Sequence, residues 1–363
     1  MPSGMVSHLM RRGAEASFTY QEQLQLPTWG LVLLGVTAVI YMFVSGMIEY
    51  TFGRIVPTLT MIESPADSIL FEPLPTDDTD ATLNKNAQPE LLVATPKLIT
   101  SSFRSTIRLL SSKGGFRARF RGISVFIVNN IAVSWVAQFM SFLPFFPRGA
   151  GAVIAAVLCA QLSMAWTHIV ISEPSPKMWF RRLPSVKTWK KVAIPTAILA
   201  LAEQVAICIP VYIGIMSGAF EQMRNPNDAA NMSPREASVM ASQGLGLGAL
   251  ALVLSFVLVV PADVALTRVQ ASLLADSEET IVPFDRSFNG KVIPEIVGGS
   301  GVIGMLDAWK TFDMPSRVRL VKTYLKVFAM ELAVGLLFFF VALGEVALVL
   351  SKSKKVEVPA PSM

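Results

Sequence analysis

The stretch 261-PADVALTRVQ-270 ends a predominantly apolar run, 247-LGALALVLSFVLVV-260, with a proline, an acid, an arginine and a glutamine. Such a run lies either in a protein core or in a lipid bilayer, and the composition of the whole chain distinguishes the two. Of the 363 residues, 52% are hydrophobic and 16% are charged, with a mean hydropathy of +0.53. Soluble domains are about one quarter charged. The sequence therefore predicts a membrane protein.

Six segments are long and apolar enough to cross a bilayer as helices, which takes about 20 residues each. They lie at residues 28–50, 123–146, 150–171, 192–219, 241–262 and 327–350. We expect the first segment to stay in the mature protein, because acids precede it and no cleavage site of small residues follows it.

Basic residues concentrate in three of the connections between these segments. Residues 51–122, 172–191 and 263–326 hold 23 of the 31 Lys and Arg residues. Basic residues are retained on the side from which insertion occurs, so both termini are predicted to lie together on the opposite side. No basic tract is interleaved with aromatic residues, so we expect no nucleic-acid partner despite the net charge of +5.

The three basic connections share features in the same order, which indicates a threefold repeat. Each ends in a motif with an aromatic and a basic residue before the next apolar segment: 115-GFRARFRGI-123, 186-VKTWKKV-192 and 321-VKTYLKV-327. Pro57 stands 63 residues before Phe120, and Pro261 stands 63 residues before Tyr324. We therefore predict three repeats, each with two spanning helices around one polar connection.

This arrangement resembles the mitochondrial carrier family. In that family each odd-numbered helix ends in a PxDxxKxRxQ-like signature that is kinked at its proline, and each long connection ends in G-x4-aromatic-basic-G. The stretch 261-PADVALTRVQ-270 carries the proline, the acid, the second basic residue and the glutamine at the family's intervals, and 115-GFRARFRG-122 matches the second motif. The resemblance implies an all-α membrane fold of six transmembrane helices in three repeated pairs, with amphipathic surface helices in the long connections.

The same resemblance implies two rings of charged pairs that close a pore on alternate sides. The matching positions are Pro261, Asp263, Arg268 and Gln270 in the first ring, and Glu221 and Arg224, from 220-FEQMR-224, in the second. Candidates for the basic partner of Asp263 are Arg54, Lys177 and Arg181. The alternative for the charged residues is that they are interface charges at helix ends.

Some positions depart from the family pattern. Leu59 stands where the first odd helix would carry its acid, and no proline–acid spacing is present in 172-SEPSPKMWFRRL-183. The second connection is also too short for the surface helix that the other two can hold. A complete ring of gate pairs is therefore not expected.

The repeats define the expected organisation of the chain. It consists of an N-terminal tail at 1–27, repeat 1 at 28–147 with a polar loop at 63–95, repeat 2 at 148–224 with a shortened connection, a linker at 225–240, repeat 3 at 241–350 and a C-terminal tail at 351–363.

Substrate contacts in the family lie on the even-numbered helices. The corresponding positions carry Asn129 and Asn130 in the second helix and apolar residues in the fourth and sixth, which disfavours a classical anion carrier. Glu203 and Glu331, with Gln204 beside Glu203, are further cavity candidates. An ionisable residue in hydrocarbon costs about 3 kcal/mol and tends to face a cavity or a partner. Glu203 is either a cation or proton site or an interhelical hydrogen-bond partner.

The sequence carries no HExxH, nucleophile-elbow or Walker motif, and 299-GSGVIG-304 lies between apolar segments rather than in a βαβ unit. We therefore expect no enzyme activity, catalytic residue, metal site or cofactor. The first functional hypothesis is a divergent carrier-type transporter that moves a small neutral, cationic or partly apolar solute by alternating access. The alternative is a carrier-fold scaffold or adaptor of the mitochondrial outer membrane that no longer transports.

These hypotheses set the expected partners and location. The partners are the lipid bilayer and either an unknown small solute or a membrane protein. The expected location is a mitochondrial membrane crossed several times, with the inner membrane favoured over the outer one.

Overall fold

The computed structural model describes residues 20–25, 27–64, 98–144, 148–220, 233–293 and 295–359. Nearly all of the expected polar loop at 63–95 lies outside these ranges, as do the gate candidates Glu221 and Arg224. Contacts divide the chain into two compact units, of which one is formed by Met1–Glu49 with Lys326–Met363 and the other by Tyr50–Leu325.

The described chain is predominantly helical. In chain order the helices are α1 (Thr28–Ile48), α2 (Val56–Ile62), α3 (Phe103–Gly114), α4 (Ile123–Ser141), α5 (Arg148–Leu158), α6 (Ala160–Ile171), α7 (Val186–Met216), α8 (Pro234–Leu254), α9 (Val260–Ser272), α10 (Met305–Lys310) and α11 (Met314–Lys352). Short 3-10 turns occupy Ile99–Ser101, Phe116–Phe120, Trp179–Arg182 and Glu295–Val297. The strands β1 (Tyr20–Gln25) and β2 (Lys354–Pro359) pair antiparallel.

Helices long and apolar enough to cross a membrane coincide with the six apolar segments of the sequence. Five are continuous helical stretches: Thr28–Ile62, Phe116–Ser141, Val186–Met216, Pro234–Ser272 and Met314–Lys352. The sixth candidate is the pair Gly149–Leu158 and Ala160–Ile171, which is bent by 59° at its break. These helices indicate a multi-pass membrane protein.

Two of the long stretches are interrupted in the same way. The π-helical segment Glu49–Ile55 joins α1 to α2, and the π-helical segment Ser255–Val259 joins α8 to α9. Pro57 and Pro261 follow directly, each as the second residue of the next helix. A proline removes one backbone donor and its ring crowds the preceding turn, so a local change in the hydrogen-bond ladder accommodates it there.

Consecutive spanning helices of the second unit are neighbours. Helix α4 packs on α5, α5 packs on α7, and α7 packs on α8 and α9. The C-terminal ends of α2, α6 and α9 converge, since each of these three helices contacts the other two. One end of this helix bundle is therefore closed by three helix ends.

The apolar core of the second unit begins at this convergence. Ile55, Leu59 and Ile62 from the first stretch pack with Val170 and Ile171 at the end of α6, and all five are fully buried. Leu59 occupies the position where the family would carry an acid, so an apolar contact replaces a charge there.

The three connections differ in their helical content, as their lengths predict. The first holds α3, whose Leu110 is buried while Arg108 and Lys113 are exposed, so that this helix is amphipathic. The third holds the short α10, and the second holds only the turn Trp179–Arg182. Residues 314–324 belong to the last spanning helix rather than to a surface helix.

The first unit is an antiparallel helix pair extended by the two strands. Helix α1 packs against the part of α11 from Lys326 onward, with Gly30 facing Val349 and the ring of Tyr41 centred 5.3 Å from that of Phe338. Beyond the helix ends, the backbone pairing of β1 with β2 continues in the same antiparallel sense.

Candidate functional site: a polar cavity within the helices

A cavity of about 280 Å³ lies among the helices of the second unit. Its volume equals that of about nine water molecules in the liquid and is slightly below the usual range for ligand pockets, roughly 300–1,000 Å³. Hydroxyl and apolar side chains line much of it. The charged and amide-bearing lining residues are Arg54, Asn129, Asn130, Glu203, Asp263 and Gln270.

Some of the lining residues lie at or near helix interruptions. Arg54 belongs to the π-helical segment that precedes α2, and Asp263 lies in the first turn of α9, directly after the other π-helical segment. Ser163 lies just after the break at Cys159 between α5 and α6. Such interruptions occur frequently at functional sites, and irregular backbone at membrane depth is tolerated where it lines a cavity. Helix interruptions therefore form part of the cavity wall, and the helices α4 and α7 form much of the rest.

Asp263 accepts a hydrogen bond from a hydroxyl group. The Tyr324 hydroxyl donates to Oδ2 of Asp263 at 3.3 Å, and Thr267, one turn later on α9, lies close to the same carboxylate. Arg54 is the sequence-predicted basic partner that lines the cavity, and its charge acts on both Asp263 and Glu203. Asp263 thus faces a mixed-charge cavity.

The other candidate partners of Asp263 lie elsewhere. Lys177 and Arg181 belong to the short second connection, Arg181 within its 3-10 turn. Neither is among the lining residues of the cavity.

Arg268 points to the closed end of the bundle rather than into the cavity. Its Nη1 donates to the carbonyl of Met61 at 2.9 Å and its Nη2 to the hydroxyl of Thr311 at 3.0 Å. The guanidinium lies over the rings of Phe288 and Phe312, at 4.8 and 5.5 Å from their centroids. The resemblance implies a carboxylate partner for this arginine, but it is the end of α2 that Arg268 binds, through a backbone carbonyl.

Gln270 links α9 to α6 at the same end. Its Oε1 accepts from the hydroxyl of Thr167 at 2.6 Å, and its Nε2 donates to Oγ of Ser163 at 3.3 Å. Nε2 of His168 donates to the Gln270 carbonyl at 2.8 Å. Gln270, Thr167 and Ser163 all line the cavity, so this network forms part of its wall.

A buried ion pair, which the sequence motifs do not indicate, adds to the closure. Nη1 of Arg319 lies 3.6 Å from Oε2 of Glu63, and their side chains are 10% and 1% exposed. Glu63 also accepts hydrogen bonds from the backbone N–H groups of Ile99 and Thr100. Glu63, the acid that follows α2, therefore forms an ion pair at the end of the bundle. The position within α2 at which the carrier signature has its acid is occupied by Leu59.

Of the remaining sequence-predicted candidates in the second unit, some line the cavity and others contact a helix. Glu203 lines the cavity and is exposed, whereas Gln204 lies against Gly149 of α5. The amide of Asn130 donates to a carbonyl one turn earlier at 2.9 Å. The Asn129 Oδ1 is buried and accepts no hydrogen bond from the residues that the structure describes. A buried acceptor without a donor is costly unless a ligand or water supplies one.

Glu331 belongs to the first unit, where the helix pair binds it. Its Oε2 accepts from the hydroxyl of Ser45 at 2.7 Å, and Glu345 accepts in the same way from Thr37 at 2.6 Å. Hydroxyl bonds of this kind hold helices together in membranes. Glu331 is therefore an interhelical partner and is not among the lining residues of the cavity.

Sequence reasoning did not assign a contact to Tyr324, nor a lining role to Ser163 and Thr167. A signal was present for the last two, because hydroxyl residues four apart in an apolar helix lie on one face. The contact of Tyr324 with Asp263 joins residues 61 positions apart, which local spacing does not predict.

Comparison with known proteins assigns the chain to no family. No protein-family model matches the sequence, and no curated protein is significantly similar to it.

Proposed function

We propose that the protein is a divergent carrier-type transporter that moves a small solute across a mitochondrial membrane, the inner one being favoured, by alternating access. The observation that carries the proposal is the charged cavity within membrane-spanning helices. Ionisable side chains at membrane depth are costly and typically mark a substrate or ion pathway. The helices α2, α6 and α9 converge at one end of the bundle, an arrangement compatible with one state of an alternating-access transporter.

Parallels between the first and third predicted repeats support the carrier arrangement. In both, a π-helical segment is followed by a proline at the second position of the next helix. Two residues after each proline stand Leu59 and Asp263. Leu59 packs in the same apolar cluster as Phe120, while Asp263 binds the hydroxyl of Tyr324. An apolar cluster in one repeat thus occupies the position of a polar contact in the other.

A scaffold or adaptor of the mitochondrial outer membrane is the second candidate, and the surroundings of Arg268 favour it. Alternating access requires that the closing contacts be exchanged for others of similar energy. Arg268 binds a backbone carbonyl, a hydroxyl and two aromatic rings. Such a set of partners forms a stable closure, which a protein without transport would retain.

Uptake by vesicles containing the purified protein tests the first candidate. We expect saturable uptake of at least one small polar solute. Asp263→Asn should lower the uptake rate about tenfold or more, because a hydrogen bond between the solute and a charged group contributes about 1.5–3 kcal/mol. The melting temperature should change little, since the amide keeps an oxygen that accepts from Tyr324. The control is Glu295→Gln, at an exposed ion pair with Lys191 in which the Glu295 side chain is 68% exposed.

Two results would contradict transport. One is the absence of uptake for every solute tested by protein that melts cooperatively. The other is an unchanged uptake rate for Asp263→Asn together with a clearly lowered melting temperature, which would make this carboxylate a structural group.

A further inference from the structure

We infer that the cavity binds a compact organic cation whose single positive charge is on an ammonium group. The inference rests on the proposed transport function and names the class of solute. It follows from the balance of charges in the cavity wall, from an amide oxygen that accepts no hydrogen bond from the described residues, and from the aromatic rings that line the same cavity.

The charges of the described lining residues do not cancel. Asp263 and Glu203 bring two negative charges, and Arg54 brings one positive charge that acts on both carboxylates. One guanidinium thus already serves two anions, so Arg54 needs no anion from a solute. The two carboxylates also repel each other. An excess of one negative charge remains in this part of the wall, and a solute with one positive charge balances it.

The surroundings of the cavity strengthen this preference. Glu203 and Arg54 are exposed, so water in the cavity weakens the field of these charges without changing its sign. A cleft with low-dielectric walls focuses the field of the charges that line it and raises the local concentration of counter-ions. The helices around this cavity are apolar enough to cross a membrane, and lipid on their outer faces provides such walls. The excess charge therefore attracts cations.

The acceptors in the wall suit an ammonium group, which has three donors and no acceptor. The Oδ1 of Asn129 is buried and accepts no hydrogen bond from the residues that the structure describes, and such an acceptor is costly until a donor reaches it. The carboxylate of Asp263 accepts from Tyr324, but a carboxylate has about four acceptor sites, so capacity remains. Glu203 supplies a third acceptor from α7.

The aromatic lining favours an organic cation. The rings of Phe126 and Trp166 line the cavity, and the face of an aromatic ring attracts an ammonium group within about 6 Å. The Nε1 of Trp166 donates to the hydroxyl of Tyr50 at 3.2 Å, which fixes the direction of this ring. The cavity volume of about 280 Å³ accommodates a short carbon chain as well as the charged group.

A matched panel of solutes tests the inference. The probes are amino alcohols of two, four and five carbons, each compared with the diol, the hydroxy acid and the amino acid of the same length. Within each set one compound is a cation, one is neutral, one is an anion and one is a zwitterion. Potassium chloride at the same concentration is the control for ionic strength and for a simple metal cation.

Both the melting temperature of the purified protein and uptake by vesicles are measured at increasing concentrations of each probe. We expect at least one amino alcohol to bind about tenfold or more tightly than the other three members of its set. The reason is that it alone supplies ammonium donors to the wall without adding a negative charge.

Two variants should change this preference in opposite directions. Glu203→Gln removes the excess negative charge and should reduce the preference for the amino alcohol over its diol about fivefold, the upper end of what an exposed pair of opposite charges contributes. Arg54→Gln removes the positive charge and should increase the same preference. A general loss of stability would not change this ratio in opposite senses. Glu295→Gln, outside the cavity, is the control and should leave the ratio unchanged. If Arg54→Gln does not fold, an unchanged ratio in Glu203→Gln is enough to overturn the inference.

The outcomes separate the solute class from transport. Uptake of a diol, a hydroxy acid or an amino acid with no preference for the amino alcohol overturns the inferred class and leaves transport standing. Equal stabilisation by potassium chloride also overturns the class, because the cavity would then attract any cation. Stabilisation by an amino alcohol without its uptake supports the class and contradicts transport. If no probe stabilises the protein, the class is wrong, and transport is decided by uptake of other solutes.

Discussion

Arg268 and Asp263 lie on the same short helix, α9, and their surroundings give them different roles. The carboxylate of Asp263 faces the cavity. Arg268 is only 6% exposed, and its guanidinium fills the space between two aromatic rings and the end of α2. A lysine would not fill this space equally, because an ammonium group is a compact, strongly hydrated charge without a planar face. The position therefore requires arginine specifically.

We predict that Arg268→Lys lowers stability by about 2–3 kcal/mol, because it removes a charge-assisted hydrogen bond and the stacking on Phe288 and Phe312. The measurement is the melting temperature of the purified protein in detergent. The matched control is Arg108→Lys on the exposed face of α3, which we expect to change stability by less than about 0.5 kcal/mol. Equal melting temperatures for the two variants would show that the contacts of Arg268 contribute nothing to the closed end.

At the scale of helices, the sequence predicts where the spanning segments lie better than how they are interrupted. The hydropathy of a spanning segment is summed over about 20 residues, so a single substitution does not change where the segment is predicted. All six predicted segments correspond to helical stretches. Pro57 and Pro261 mark two interruptions. The break at Cys159 contains no proline, and only packing reveals it. The contact between Arg268 and Met61 joins residues 207 positions apart, which the pattern of a single helix does not contain.

The helix pair of the first unit depends on close approach at one glycine. A Cβ at Gly30 would lie 2.5 Å from Cγ2 and 2.9 Å from Cγ1 of Val349, whereas a Cβ at Gly35, also on α1, would meet nothing within 4 Å. Both positions are helical. Their substitutions therefore share the same effect on helix propensity and differ in packing.

We predict that Gly30→Ala lowers the melting temperature relative to Gly35→Ala, by the roughly 1–3 kcal/mol that overpacking costs. Gly35→Ala alone should be neutral or stabilising, because alanine favours a helix over glycine by about 1 kcal/mol. Thermal unfolding of both variants in the same detergent gives the comparison. A Gly30→Ala variant as stable as Gly35→Ala would mean that α1 and α11 do not approach closely at this point.

At the scale of the whole chain, two independent observations concern the sides of the membrane. The charge distribution predicts that the three basic connections lie on one side and both termini on the other. The pairing of β1 with β2 brings the backbone of Tyr20 next to that of Pro359. Paired strands exchange backbone hydrogen bonds directly. The segments adjoining the two termini must therefore lie on the same side of the membrane.

We therefore predict that protease-cleavable tags before Met1 and after Met363 are cut or protected together, and that a tag within 77-DDTD-80 shows the opposite behaviour. The physical reason is that the first connection is basic and is separated from the N-terminal strand by a single long helical stretch, Thr28–Ile62, which crosses once. The measurement is protease protection in sealed vesicles, with detergent-opened vesicles as the control in which all three tags must be cut. If the internal tag and either terminal tag were cut together in sealed vesicles, the three-repeat arrangement would be untenable. If that terminal tag were the one before Met1, the first stretch would not cross the membrane. Opposite behaviour of the two terminal tags would instead exclude the pairing of β1 with β2 in the membrane-bound protein.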